Sequence, residues 1–450
     1  MTLPDIDRLR AAGWHDAEAA RKRALFERVA DGFRRLAGTS RDLHFSWTPG
    51  RIEFLGKHTD YAGGRSLLCA VDRGFAFAAS PRADDTLRVQ DAGFGGGDTI
   101  QFPLHPDLEP PRGHWATYAM TLGRRIARNF APPLRGADIA FASDLPMAAG
   151  MSSSSALTVG LFLALADATG LRERDEYRSH LATVERLAEY LGSIESGLSV
   201  PGMRGDRGVG TLSGCEDQTA ILAGRADSLI RASFVPVCID QTLPLPEGHA
   251  FIIASSGIVA EKTGAALELY NGVSRKAAAV LEVWRAATNR DDVSLARAVQ
   301  SSPDAPAQLR EILRRTRDAR YSSKELLDRF EQFYAESEEI IPDASDALLY
   351  GDTARLGVLV DQSQAGVERL LGNQIAETIF LARSARELGA VAASAFGAGF
   401  GGSVWALIPD GNAPEFVARW RDAYLAAFPQ HNEGSEFFVT SAGPAALALG

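Results

Sequence analysis

Cysteine is scarce. Cys69, Cys215 and Cys238 are the three in 450 residues, scattered and without metal-ligand spacing. That excludes a disulfide scaffold and a thiolate metal site, and fits reduced thiols in a cytoplasmic protein. No apolar run reaches the length of a membrane span, so no membrane partner is expected. The N-terminal stretch MTLPDIDRLRAAG has acidic residues and no hydrophobic core, so no secretory signal is expected. Basic residues are outnumbered, 47 Lys and Arg against 57 Asp and Glu, for a net charge of −10. That balance argues against a nucleic-acid partner while leaving room for a local basic pocket for phosphate. The familiar nucleotide loops are missing too. Gly50 to Gly56-Lys57 looks like a Walker A loop, but five residues separate the glycines and His58 stands where Ser or Thr belongs. No well-placed G-x-G-x-x-G follows an early strand, and no internal repeat is found.

What is present is an ordinary globular composition, 46% hydrophobic and 23% charged, in a chain too long for one core. Two domains are expected, 1–244 and 245–450, with a boundary in the proline-bearing stretch Gln241–Gly248. The most informative stretch is Pro146–Leu157, PMAAGMSSSSAL, where Gly150 and Met151 precede Ser152, Ser153, Ser154 and Ser155. A mostly apolar run follows and stops at Gly170, as a buried helix would. A small-residue loop opening a helix is an anion site, because free N–H groups and the helix dipole both favour negative charge. Serine hydroxyls add donors for phosphate oxygens and ligands for Mg²⁺. A plain Ser-rich N-cap has the same appearance.

Elsewhere the patterns are coarser. Residues 14–37 read as an amphipathic helix, and Leu43–Trp47 as a strand ending in a Pro49-Gly50 turn. Arg51–Gly64 reads as a loop dense in polar groups, and loops carry sites. Ser66–Ala79 reads as paired strands turning at Asp72-Arg73-Gly74, Gly95–Phe102 as a turn and strand, and Trp115–Phe130 as a helix. Residues 174–191 read as one helix ending at Gly192, and the glycine-rich 193–214 as a mobile insertion or lid. Glu216-Asp217-Gln218 then precedes an apolar segment, which aims Asp217 into a cleft or makes it a helix cap. Phe234–Ile239 and Ala250–Ala254 read as strands, and Glu261–Arg285 as a long helix. Gly397–Ser403 is a glycine cluster between apolar segments, able to approach a ligand closely.

Taken together, PGRIEFLGKHTDYAGG, PMAAGMSSSSAL and SAFGAGFGGS resemble, in order and spacing, the three motifs of the GHMP small-molecule kinases. Gly50-Arg51, Gly56, His58-Thr59-Asp60-Tyr61 and Gly214–Gln218 resemble the galactokinase branch in particular. The resemblance implies an α/β (α+β) two-domain fold, with an N-terminal domain like ribosomal protein S5, a ferredoxin-like C-terminal domain and the active site in the cleft between. It implies transfer of the ATP γ-phosphoryl group to the anomeric hydroxyl of a hexose, with ATP and Mg²⁺. By resemblance Asp217 is the base and Arg51 its partner, while Ser154 and Glu189 neighbour the Mg²⁺. Gly150, Met151 and Ser152–Ser155 would hold ATP, with Gly397 and Gly399 closing beside it. Glu53, Lys57, His58, Asp60, Tyr61, Gly214 and Tyr270 would line the sugar site. A monomer or weak homo-oligomer in the cytoplasm, with sugar and ATP as its small-molecule partners, completes the expectation.

Two residues depart from the branch's pattern. Asn is usual where Glu53 stands, and an acidic residue facing the sugar near its sixth carbon where Lys57 stands. A cation there loses an acceptor for a hydroxymethyl group and gains a partner for a carboxylate. Galacturonate or another acidic sugar is therefore the alternative to galactose, unless Lys57 pairs with Glu53 or another carboxylate. Glu189-Tyr190-Leu191-Gly192 and Asp217–Leu222 also look like galacturonic acid kinase relatives. A catalytically silent sugar and ATP sensor is the second alternative.

Overall fold

Two sheets organise the chain. The computed structural model describes residues 3–38, 43–93, 97–111, 113–146, 150–258 and 265–449. The strands are β1 (His44–Leu55), β2 (Arg65–Pro81), β3 (Thr86–Asp91), β4 (Thr99–Pro103), β5 (Ala137–Ser143), β6 (Ser228–Ser233), β7 (Cys238–Pro244), β8 (His249–Ser255), β9 (Ala392–Phe396), β10 (Ser403–Pro409), β11 (Glu436–Thr440) and β12 (Leu447–Ala448). The larger sheet runs β12-β1-β2-β5-β3-β4, with β6 on β2 and β7 on β6. The smaller runs β11-β8-β10-β9. Only the β3–β5 pair is parallel among the described strands.

Burial explains the layers. Helix Ser153–Thr169 is apolar all round and packs against β1 and β2, as such a helix must. Helices Ala376–Glu387 and Ala413–Ala427 cover one face of the smaller sheet, with Leu381 and Trp420 against Val404 and Ala406. Its other face meets the larger sheet, where Phe54 of β1 stacks on Trp405 of β10 with centroids 4.4 Å apart. A helical wall from Ala265 to Leu371 stands beside this junction, with π-helical turns at Ala335–Ile340 and Val367–Leu371. Such turns re-aim side chains and recur at functional sites.

Several expectations from the sequence are corrected here. Pro49-Gly50 and Asp72-Arg73-Gly74 are not turns, since β1 and β2 run straight through them. Pro49 pairs with Gly74, and the register shifts between Pro49 and Arg51. A Cβ on Gly74 would lie 2.2 Å from Thr48 O, so this glycine serves a tight bulged crossing. Arg51–Leu55 consequently belongs to a strand, and the loop begins at Gly56. Residues 174–191 form two helices, Asp175–His180 and Val184–Ser196, the second running through Gly192. Phe234–Val237 connects β6 to β7, and Gln241–Pro244 lies within β7, so the expected linker is partly sheet. Residues 95–96 of the expected Gly95–Phe102 element, 261–264 of Glu261–Arg285 and 147–149 of the serine loop lie outside the described residues.

The 197–214 segment is pinned, not a lid. Its Asp206 side chain is fully buried and accepts from Arg124 Nε at 2.8 Å, and Met203 and Thr211 are buried. Val209 N–H donates to Glu195 O at 2.8 Å, tying the segment to the end of the preceding helix. Among the described residues no helix is long and apolar enough to cross a membrane.

Candidate active site

Bulges in β1 flank the residues that enter the cleft. Register shifts lie between Pro49 and Arg51 and between Glu53 and Leu55, and Arg51 and Glu53 share one face of the strand. Arg51 is buried, donating from Nε to Asp217 Oδ1 and from Nη1 to Gly150 O, both at 2.8 Å. Asp217 sits in the first turn of helix Glu216–Ala223 and is not its cap, a position that falls to Cys215. Its Oδ2 lies 3.1 Å from Ser155 Oγ, which donates to Glu195 Oε1 at 2.6 Å. Gln218 Nε2 also donates to Glu195 Oε1, at 2.9 Å. One hydroxyl and two carboxylates thus converge on a small volume, a hard-oxygen corner suited to a divalent cation that keeps its waters. Among the described residues no three His, Cys, Asp or Glu side chains form a metal cage, which such a shared site does not require.

The expected pair Ser154 and Glu189 is not the pair that meets there. Glu189 accepts from Arg186 Nη1 at 3.0 Å and from Val237 N–H at 2.8 Å, facing the β6–β7 connection. Ser154 is half-buried and does not line the cleft, whereas Ser155 is buried and does. Helix periodicity is the reason. Leu187, Leu191 and Glu195 fall at i, i+4 and i+8 on the buried face, with Glu189 turned away. That stripe was the signal in the sequence for Glu195.

The serine loop opens its helix in an unusual way. Gly150 has φ +69° and Ser152 has φ +57°, and the helix has no side-chain cap. Ser152 Oγ is buried without a hydrogen-bond partner among the described residues. A donor left in this state beside uncapped helical N–H groups fits an anionic ligand. Met151 differs, with its side chain in the core and its carbonyl accepting from Arg51 N–H at 3.2 Å.

The loop after β1 is held from several sides. His58 adopts φ +58°, and Arg329 Nη2 donates to its carbonyl at 2.5 Å. Arg329 Nη2 also reaches Tyr61 Oη at 3.3 Å, Tyr61 Oη lies 3.1 Å from His58 Nδ1, and His58 Nε2 lies 3.1 Å from Ala398 O. Because a carbonyl only accepts, this chain assigns the imidazole proton to Nε2. Burial pushes the Tyr61 phenol up to about 12, against the opposing pull of Arg329, so it stays a donor. Asp60 accepts from Tyr61 N–H at 2.8 Å and from Glu216 N–H at 3.3 Å. A Cβ on Gly214 would lie 2.3 Å from Asp60 Oδ2, so only glycine allows that approach. Tyr270 is buried with its ring 5.3 Å from that of His58.

Lys57 points elsewhere. Its Nζ donates to Ser363 Oγ at 3.1 Å, Ser363 Oγ donates to Glu336 Oε1 at 3.0 Å, and Lys57 does not line the cleft. The expectation that Lys57 faces the sugar is corrected accordingly. Glu53 does line the cleft, with Oε2 accepting from Gly397 N–H at 3.1 Å. Gly397 has φ +80° and Gly399 has φ +78°, and a Cβ on Gly399 would lie 2.4 Å from Asn373 Nδ2. The cleft lined by Arg51, Glu53, His58, Asp60, Asp217 and Gly397 opens to solvent.

Known proteins resemble this chain in sequence and in fold. A galactokinase galactose-binding signature matches residues 31–81, the GHMP kinases N terminal domain matches 117–200, and the GHMP kinases C terminal domain matches 344–426. A galactokinase of Actinobacillus pleuropneumoniae is 25% identical over 375 residues, covering 81% of this chain and 85% of that protein. One from Chloroflexus aggregans is 28% identical over 378 residues, covering 82% and 85%. The crystal structure of Lactococcus lactis galactokinase complexed with galactose shares the fold, with TM-score 0.75 and 21% identity over 93% of this chain and 98% of that one. The fold is a two-domain α/β one, and the matched kinase domains and galactokinase relatives indicate a phosphotransferase. The galactokinase signature and both GHMP kinase domains thus match this chain in order, and galactokinases are similar to it over 81–82% of its length.

Proposed function

We propose that the chain is an ATP-dependent sugar 1-kinase that phosphorylates the anomeric hydroxyl of galactose or a related neutral hexose. The observation that carries this reading is the convergence of Arg51, Asp217, Ser155 and Glu195 at one corner of the cleft. Asp217 accepts the proton of the attacking hydroxyl, and Arg51 holds it ionised and counters charge on the moving phosphoryl group. The N–H groups of Gly150–Ser154 cradle the triphosphate and Gly397–Gly399 lies beside it. Ser155, Glu195 and Asp217 would hold Mg²⁺, which supplies neutralisation of phosphate charge when bound. His58, Asp60, Tyr61, Gly214 and Tyr270 contact sugar hydroxyls from the opposite wall.

Two observations favour a neutral sugar over a uronate. The Lys57 ammonium is engaged by Ser363, and Glu53, Asp60, Glu195, Glu216 and Asp217 line the cleft beside Arg51. We divide the chain functionally at 244/245 and place the reaction in the cytoplasm, where ATP is supplied, with a monomer or weak homo-oligomer as the working unit. The net charge of −10 speaks against a nucleic-acid partner. Assaying ADP release over a panel of monosaccharides tests the reading. Release dependent on galactose supports it, and sugar-independent or absent release overturns it in favour of a sensor.

A further inference from the structure

Glu53 lines the cleft and its side chain anchors the glycine loop while one of its oxygens, Oε1, stays without a hydrogen-bond partner among the described residues. It is 3% exposed. Its Oε2 holds Gly397 N–H, and a Cβ on Gly397 would lie 3.2 Å from Gly150 O and 3.7 Å from Arg51 Nη2. Gly397 is thus the point where the glycine loop, the serine loop and Arg51 meet. The next residue, Ala398, supplies the carbonyl that holds His58. A buried carboxylate oxygen without a donor is costly, and a ligand that supplies one recovers that cost on binding.

We propose that Glu53 is a specificity-determining residue whose Oε1 accepts a hydrogen bond from a hydroxyl of the bound sugar while its Oε2 anchors the glycine loop, so that the pocket selects a donor and rejects a carboxylate at this point. The proposal rests on the sugar-kinase reading above. The departure at Lys57 fits it, since the cation turns inward toward Ser363 and Glu336 and leaves Glu53 facing the cleft. The groups acting on Glu53 are Arg51 on its own strand, Lys57 on the following loop, Glu336 in the π-helical turn, and Glu216 on the Asp217 helix. Burial pushes its carboxyl up to about 7, against the pull of Arg51 and Lys57 and with the push of Glu336. Above that pH it is an ionised acceptor, and below it a proton occupies the carboxyl and acceptor strength falls.

The test measures KM and kcat for galactose and galacturonate from pH 5.5 to 8.5 with wild type and Glu53→Gln, alongside a series of monodeoxygalactoses. In wild type, galactose KM rises as pH falls through about 7, and one deoxy sugar loses about tenfold or more in kcat/KM. Glu53→Gln raises galactose KM about tenfold, flattens that pH step, narrows the preference over galacturonate and erases the penalty for the same deoxy sugar. The wild-type pH profile and deoxy series stand alone if the variant does not fold. A flat wild-type profile with no deoxy sugar disfavoured overturns the proposal, as does a Glu53→Gln enzyme with unchanged KM and pH step. Wild type inactive on every sugar overturns the kinase reading, and the proposal with it.

Discussion

The loop after β1 and the serine loop that opens helix Ser153–Thr169 are finished to different degrees. In the loop after β1 most polar groups are committed within the protein. Arg329 holds the His58 carbonyl and Tyr61, Tyr61 and Ala398 hold the imidazole, and Gln332 Nε2 donates to the Lys57 carbonyl at 3.1 Å. On the serine side Ser152 Oγ has no partner among the described residues and the helix has no side-chain cap. A preorganised wall supplies orientation without further ordering cost, whereas an uncapped helix start gains its partners only from a charged ligand. The difference separates a surface that is complete before any ligand binds from one that a charged ligand would complete.

Predictions that break or sharpen this contrast run from large to small. Asp217→Asn, at the seam between the loops, lowers kcat about 10²–10⁴-fold while nucleotide affinity by calorimetry is retained, and a near-normal rate contradicts the assignment. Glu195→Gln raises the Mg²⁺ concentration for half-maximal rate by about 10–100-fold, whereas Glu189→Gln leaves it unchanged. Equal shifts in both variants would return the metal corner to Glu189. Arg329→Met removes the buried anchor of the loop after β1 and lowers stability by about 1–3 kcal/mol in denaturant titration, as the His58 carbonyl and Gln332 lose their donor, with sugar KM raised above any change in nucleotide KM. Ser152→Ala, on the unfinished side, changes stability by less than about 0.5 kcal/mol because no bond is lost. Its nucleotide KM rises about threefold to tenfold as one donor to phosphate is removed. A large stability loss in Ser152→Ala would mean that the serine loop is already complete without ligand.

How much was legible in the sequence follows from how local each signal is. The serine run, Arg51, Asp217 and the His58–Tyr61 stretch stand out in the sequence through their resemblance to family motifs, and Arg51, Asp217, His58 and Tyr61 line one cleft in the structure. The turns at Pro49-Gly50 and Asp72–Gly74 were misread because each is a sound local turn signal. Only their pairing across β1 and β2 reveals a single bulged crossing. Which of Glu189 and Glu195 reaches the corner with Ser155 is not legible locally, because it depends on which helix face is buried. Lys57 was misplaced for a related reason, since Ser363 and Glu336, some three hundred residues away, decide its direction.

Phosphorus NMR of the products made from galactose and Mg·ATP, by wild type and by Asp217→Asn, tests the central claim most directly. The account predicts one equivalent each of ADP and an anomeric sugar phosphate from wild type, and almost none from the variant. A phosphate ester at another hydroxyl, or equal yield from the variant, would contradict it.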